Sequence, residues 1–561
     1  MTAGCGTCSP RFGNGMRMPT FLKLIYRIGF PGILLLTLAC GEGKRSIAPE
    51  LRPNMIWLVA EDQSPHFFPM YGNSTIALPH LESLTRDGVL FTNAYAPVPV
   101  CAPARSAIIT GMYPTTLGTH NMRTYNAYTK ENQPELGIPS YSPVVPEGTV
   151  MFTQLLRKNG YYCTNNAKED YNFKGLESAW DQSGDTAHWR NRPANHPFFS
   201  VFNFGVCHES GIWRNGAKTL FVSKDSVPVP PYFPDDSIIR HDLAVNYSNL
   251  KRMDDQLGEI LDQLKEDGLY ENSIIFFYGD HGGPFPRHKR ALYETGTKVP
   301  MIIKFPANHK KGSRDRRLFS FVDLAPTVLS LARIESPKAM QGSALFGRFK
   351  RKTEPKYLFF SSDRFDGQVD RVRAVRSKKY KYIKNFDVGK RNVLPIVYRN
   401  QMPMMQRLNQ LHEADSLNPA QSLWYRLPKP EEELYDLEND PYELVNLTER
   451  KALQDTLLHL RAVLSEWIRT SNDLGRIPEK ELIDHWLVDG QQPQLQPLEF
   501  YEEANKVHLV CKESDATIIW KGPDESAWNI YGEPLSIRKT FRAKAVRIGF
   551  RDSEILQYGP H

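Results

Sequence analysis

An α/β fold, an open and mostly parallel sheet with helices on both faces, is what the sequence predicts, and three observations predict it. The runs Met55-Ile56-Trp57-Leu58-Val59-Ala60 and Ile274-Ile275-Phe276-Phe277-Tyr278 are short and continuously apolar, as strands buried on both faces must be. Between Asp242 and Asp267, Leu243, Tyr247, Leu250, Met253, Leu257, Ile260, Leu261 and Leu264 recur at helical spacing. Strand and helix alternate along the chain, which implies layers of helix packed on a central sheet.

The amino terminus reads as an address. Arg17, Lys23 and Arg27 precede an apolar run from Phe30 to Ala39 that is too short to span a bilayer, so residues 1–40 read as an export signal, with Met16 and Met18 as alternative starts. Leu36-Thr37-Leu38-Ala39-Cys40 resembles a bacterial lipobox. Cys40 would then carry a lipid and anchor a periplasmic or outer-membrane lipoprotein. Thr37 stands where an aliphatic residue is usual, and plain secretion is the alternative. Beyond Cys40 only Cys101, Cys163, Cys207 and Cys511 remain, too few and too scattered for a disulfide framework.

The apolar runs end in polar chemistry. Glu61-Asp62 follows the first, and Gly279-Asp280-His281-Gly282-Gly283 follows Tyr278. A third run, Phe198 to Phe204, leads to His208, and a fourth, Tyr161 to Thr164, leads to Lys168 and Asp170. Ligands of open α/β sheets bind beyond the carboxyl ends of the strands, where all four clusters fall.

Cys101-Ala102-Pro103-Ala104-Arg105-Ser106 carries the most function. Free cysteine usually just packs. Here Pro103 suits a first helical turn, the residues through Thr110 favour helix and Gly111 can end it, so Cys101 sits at a helix amino terminus. Backbone N–H groups at that end attract anions and lower a thiol's pKa, and Arg105 adds a fixed positive charge.

Together, Arg52-Pro53-Asn54, Glu61-Asp62, Cys101-x-Pro-x-Arg105 with Thr110-Gly111, Lys168, His208 and Gly279-Asp280-His281-Gly282 resemble the type I sulfatase family over most of residues 50 to 480. Val227 to Tyr293, with Pro230-Pro231-Tyr232-Phe233-Pro234 and Pro284-Phe285-Pro286, most resembles the heparan N-sulfatase branch. Glu433-Leu434-Tyr435-Asp436-Leu437 is similar to the family's carboxyl-terminal signature.

The resemblance implies an alkaline-phosphatase-like sulfatase fold with a smaller carboxyl-terminal α+β domain, and a mechanism. A maturation enzyme oxidises Cys101 to formylglycine (3-oxoalanine), whose aldehyde hydrates to a geminal diol. One hydroxyl attacks sulfur, and the other then expels sulfate and restores the aldehyde. One divalent ion, Ca²⁺ by analogy, would be held by Glu61, Asp62, Asp280 and His281 beside residue 101. Glu61 replaces a usual Asp and His281 a frequent Asn; imidazole suits transition metals better than Ca²⁺. Lys289 matches the residue that grips sulfate, with Arg290 as a substitute if the loop register shifts. Lys168 matches a second sulfate-binding lysine. Asp170 stands where the family commonly has His, to serve as base or to orient Lys168. His208 matches the group that contacts sulfate and protonates the leaving group.

The resemblance points to a sulfated saccharide, N-sulfated glucosamine of heparan type first and O-sulfated polysaccharide second. A phosphate or phosphonate hydrolase and a catalytically dead sugar-binding relative are the competing classes. Asp363-Arg364 could reach sugar hydroxyls or lie in a solvated loop. The basic stretch Arg376 to Lys384 reads as an exposed strand face, or as a surface for a sulfated chain. The net charge of +7 comes with no nucleic-acid motif. Residues 41–50 read as a linker, 51–350 as the catalytic domain, 351–490 as the smaller α+β domain and 491–561 as a small β module.

Overall fold

The computed structural model describes residues 52–125 and 137–559. The expected signal, Cys40 and the expected linker lie outside the described residues. Nine strands form the main sheet: β1 (Asn54–Ala60), β2 (Val89–Tyr95), β3 (Tyr162–Asn166), β4 (Gln182–Ser183), β5 (Phe198–Phe204), β6 (Ser273–Gly279), β7 (Lys298–Lys304), β8 (Ser313–Asp315) and β9 (Phe319–Ser320). Their order is β4-β3-β5-β1-β6-β7-β2-β8, with β9 beside β2. β1 is parallel to β5 and β6, and β3 to β4 and β5; β7 is antiparallel to its neighbours β6 and β2. The sheet is therefore mixed but mainly parallel, as the apolar runs predict.

Helices cover both faces because alternate residues of each strand point to opposite sides. The helices are α1 (Pro79–Asp87), α2 (Cys101–Thr110), α3 (Phe152–Lys158), α4 (Ser237–Glu266) and α5 (Leu324–Leu331). Met55, Trp57 and Val59 pack with Ile108 of α2, Phe152 of α3 and Val328 of α5. Ile56, Leu58 and Ala60 pack with Leu84 of α1 and Leu243 and Leu257 of α4. The observed α4 spans the predicted amphipathic stretch and begins earlier, where Asp236 accepts the Ile238 backbone N–H as an N-cap.

Register decides where the chemistry gathers. Ala60 pairs with Phe204 and with Gly279, and Asn166 with Phe202. The ends of β1, β3, β5 and β6 thus share one edge of the sheet, and the residues that follow them meet there.

A second, antiparallel sheet runs in the order β10 (Leu358–Phe365), β11 (Gln368–Arg376), β12 (Tyr380–Asn385) and β13 (Glu432–Asp436). Its inner face, with Phe360, Ala374 and Ile383, packs on Tyr95, Leu292 and Leu318. The other face packs Val375 and Leu434 on α6 (Gln454–Thr470). The basic stretch is only in part the exposed face the sequence suggests: Lys378 is exposed and Lys379 half-buried, but two of its cations turn inward. Lys381 is fully buried and pairs with Glu294 and Glu443, and Arg376 is buried against Glu294. These cations join the two sheets. The tail forms a three-stranded and a four-stranded antiparallel sheet, and Ile519, Val546 and Ile548 enter the main core. Among the described residues no helix is long and apolar enough to cross a membrane.

Trp57 sits among Phe152, Phe199, Phe276 and Tyr278 at centroid distances of 4.9 to 6.1 Å. Trp57→Ala is expected to cost about 3–5 kcal/mol, and Trp57→Phe clearly less, by denaturant unfolding.

Candidate active site

Cys101 is the first residue of α2, and Gly111 ends that helix at φ 68°. All ten helix residues are buried; most are small or apolar, and Arg105 is the one charged side chain among them. The thiol lies 3.3 Å from His281 Nε2 and 3.7 Å from Asp62 Oδ1. Burial raises its pKa, but Lys168 and Lys289 outweigh that and bring the thiol to about 6.

Asp62, Cys101, Asp280 and His281 present ligand atoms within 4.8 Å of one another. The sequence brings them together because Asp62 follows β1 and Asp280 follows β6, its paired neighbour. Asp62 takes a left-handed φ of 53°, a strained turn that aims its carboxylate inward. Asp280 Oδ1 accepts the backbone N–H groups of Asp62 and His281, both at 3.0 Å. His281 Nδ1 is 3.0 Å from the Gly282 carbonyl, to which it can only donate, and this leaves Nε2 to face the cluster. Nε2 is 2.9 Å from Asp62 Oδ1. Burial opposes a charged imidazole here, yet Asp280 and Asp62 hold His281 up to about 10. The donor set, two fully buried carboxylates and an imidazole oriented through Nδ1, is of the kind that holds a divalent ion, which would take the place of the Nε2 proton between them.

Four basic side chains surround the cluster. Arg105 binds Asp280 Oδ2 at 3.1 Å and donates to Asn203 Oδ1 at 2.7 Å. Lys289 donates to Asp62 Oδ2 at 2.7 Å and lies 3.2 Å from Glu209 Oε1. His208 Nε2 is 3.3 Å from Lys289 Nζ. Lys168, after β3, is 3.2 Å from Glu61 Oε2. Burial opposes its charge, but Cys101 and Glu61 raise its pKa above the usual range. A tetrahedral dianion entering here would meet Lys168, His208 and Lys289 from different strand ends.

A sulfatase family profile matches residues 53–334, half of the chain. The chain belongs to the type I sulfatase family. A second profile, the carboxyl-terminal part of N-sulphoglucosamine sulphohydrolase, matches residues 279–414. An ulvan-active sulfatase of Formosa agariphila is 40% identical over 560 residues, 92% of this chain and 93% of that protein. Human N-sulphoglucosamine sulphohydrolase is 25% identical over 80% of this chain and 95% of its own. Among solved structures, BT1596, a 2-O GAG sulfatase, superposes with a TM-score of 0.56 at 19% identity, covering 76% of this chain and 94% of its own. A phosphonate monoester hydrolase of Agrobacterium radiobacter gives a TM-score of 0.50 at 14% identity, covering 75% and 96%. The fold is thus shared with phosphonate chemistry, and the family match is what makes this chain a sulfatase-type hydrolase.

Within this sulfatase the structure gathers Asp62, Cys101, Arg105, Lys168, His208, Asp280, His281 and Lys289 in one place. Glu61 stands beside the four-residue cluster, its carboxylate facing Lys168 and, at 3.8 Å, Arg105. Asp170 lies 3.8 Å from Lys168 at φ 53°. Three expectations are corrected. Arg290 does not stand in for Lys289, because its guanidinium makes a two-pronged bond to Glu209 at 2.7 and 2.9 Å. Arg364 is 1% exposed and spends its donors on Glu479 and the carbonyls of Met122 and Asp366. Asp363 is buried against Arg373, which Asp473 grips from the other side. Buried and so engaged, these two residues fasten β10 to the segment after α6.

Sequence reasoning missed Glu209 and Asn203. Glu209 bridges Lys289 and Arg290, and its backbone N–H donates to Asp62 Oδ2 at 2.7 Å. Its signal was an acid directly after His208. Asn203 is, with Ser200, one of two polar residues in a strand of aromatic and aliphatic side chains. Asp363→Ala is expected to lower stability by about 3 kcal/mol, since it strips one partner from a buried guanidinium, while KM stays within about twofold. Denaturant unfolding and steady-state kinetics on one preparation check both halves.

Proposed function

We propose that this sulfatase removes O-sulfate groups from a sulfated polysaccharide of the kind the ulvan-active relative acts on. The observation that carries this reading is the 40% identity to that relative over nearly the full length of both chains. The heparan N-sulfatase reading keeps one specific support, the carboxyl-terminal profile over residues 279–414. It defines the second arm of the assay. Release of sulfate from ulvan fragments but not from N-sulfoglucosamine is expected; the reverse pattern overturns the substrate assignment.

Cys101 as formylglycine would supply the nucleophile, and its place at the start of α2, under backbone N–H groups, favours the charge that develops there. Asp62, Asp280 and His281, with residue 101, would hold the divalent ion. Calcium is the choice by family likeness. When bound, it would supply Lewis-acid stabilisation of the negative charge that builds up in the reaction. Arg105 fixes Asp280 from behind, so that carboxylate keeps its orientation. Lys289 and Lys168 grip the equatorial sulfate oxygens, and Asp170 orients Lys168. His208 Nδ1 lies 2.9 Å from Ser210 Oγ and 3.3 Å from the Ser210 backbone N–H, and these contacts hold the ring with Nε2 facing Lys289 and the pocket. Nε2 is thereby placed to deliver a proton to the leaving oxygen.

Mass spectrometry of the Cys101 peptide from the native host is expected to show loss of the thiol in favour of an aldehyde; a wholly unmodified cysteine in active protein sinks the nucleophile. Cys101→Ala is expected to fold and to lose at least about a thousandfold in kcat. Chelation followed by dialysis is expected to lower the unfolding midpoint, and calcium to restore it, since an ion bound only by the native state stabilises it. Asp280→Asn is expected to show no such calcium response. Metal content measured alongside checks occupancy without relying on turnover.

A further inference from the structure

Behind Lys289, between the inner face of the second sheet and the turn that carries Lys289 and Arg290, lies a cavity of about 40 Å³. It has room for a few waters or one small ion and is far too small for a sugar. Arg399 lines it and is 2% exposed. One of its nitrogens donates to the Leu394 carbonyl at 2.5 Å, and its plane lies 4.9 Å from the Trp424 ring centroid. Its Nε has no hydrogen-bond partner, and among the described residues no carboxylate lies within ion-pair distance of it.

A buried cation in that condition is expensive, because desolvation costs several kcal/mol that only an opposing charge offsets. The surroundings make it worse. Arg290 lines the same cavity as a like charge, and its Nε too is buried without a partner. The indole N–H of Trp424 is a third buried donor on the wall with nothing to donate to. The two acids on the wall are already engaged. Asp370 takes two bonds from Lys429, and Glu433 accepts from Tyr293, Tyr435 and Asn385. Burial and the Arg290 charge bring Arg399 down to about 9, against a smaller upward pull from Glu209 and Asp366.

We propose that this cavity binds one small inorganic anion, a halide or a sulfate ion, which accepts from Arg399, Arg290 and Trp424 and braces the turn that presents Lys289. The anion neutralises the Arg290–Arg399 repulsion. It thereby leaves Glu209 free to hold Lys289 and Arg290 together at the edge of the active site. The site goes beyond the catalytic reading, and its binding is measurable in protein that turns nothing over.

The test is thermal unfolding of the full chain at constant ionic strength, with gluconate, too bulky for the cavity, replaced stepwise by chloride, bromide or sulfate. A saturable rise of about 2–3 °C at a hundredfold excess over the dissociation constant is expected. A rise with halides, or a rise with sulfate that Arg399→Met removes, supports the proposal, and no saturable rise with any of them overturns it. Arg399→Met is expected to abolish the rise, and Trp424→Phe, which keeps the ring and removes the N–H, to weaken it severalfold. An unchanged rise in both variants would place the anion among Lys168, His208 and Lys289 instead and overturn the assignment. Crystals grown in bromide give a reading that needs no variant: an anomalous peak beside Arg399 supports the site, and its absence at saturating bromide refutes it.

Discussion

Asp62 is a carboxylate with no exposure to water, and the site depends on that group being neutralised from every side. Its Oδ2 accepts from Lys289 and from the Glu209 backbone, and its Oδ1 faces His281. Lys289 in turn needs Glu209, and Glu209 needs Arg290. Burial alone would push Asp62 toward the protonated form, and the combined field of Lys289, His208 and His281 holds it well below the usual carboxylate range. Such a chain is stable only when complete, because removing one member leaves another charge buried and unpaired. The residues that stay close to the reacting atoms and those that only support them are therefore parts of one electrostatic object.

That object exists because of strand register. Polar residues following four strands would be unrelated if the strands were scattered, yet Ala60 is level with both Phe204 and Gly279. Parallel pairing converts sequence positions more than two hundred residues apart into neighbours a few ångströms apart. It also explains the tolerance for strain at Asp62, whose left-handed backbone is set between two well-paired strands.

Much of this was legible in sequence, and what was not has identifiable reasons. Continuous apolar runs identify central strands because both faces must be buried, and the acids at their ends stand out against them. The helix at Cys101 was legible from Pro103 and Gly111. Arg364 and Lys381 were misread for one reason: a charged residue in a strand looks exposed unless its partner is known, and the partners Glu479, Glu294 and Glu443 lie in distant segments. Arg290 was misread because its partner, Glu209, was itself unnoticed beside the more conspicuous His208. Long-range ion pairing carries no local pattern, so single residues that serve it look like surface or like substrate contacts.

Cys101 has no exposed surface, and neither has the helix it opens, apart from small slivers at Arg105 and Ile108. No second protein can grasp that segment once the chain has closed over it. On the proposed reading, the oxidation that activates the site must happen while the chain is still extended, in the interval between synthesis and collapse. Folding and maturation are then competitors in time. A chain that folds before that oxidation becomes a finished structure with the wrong atom at its centre.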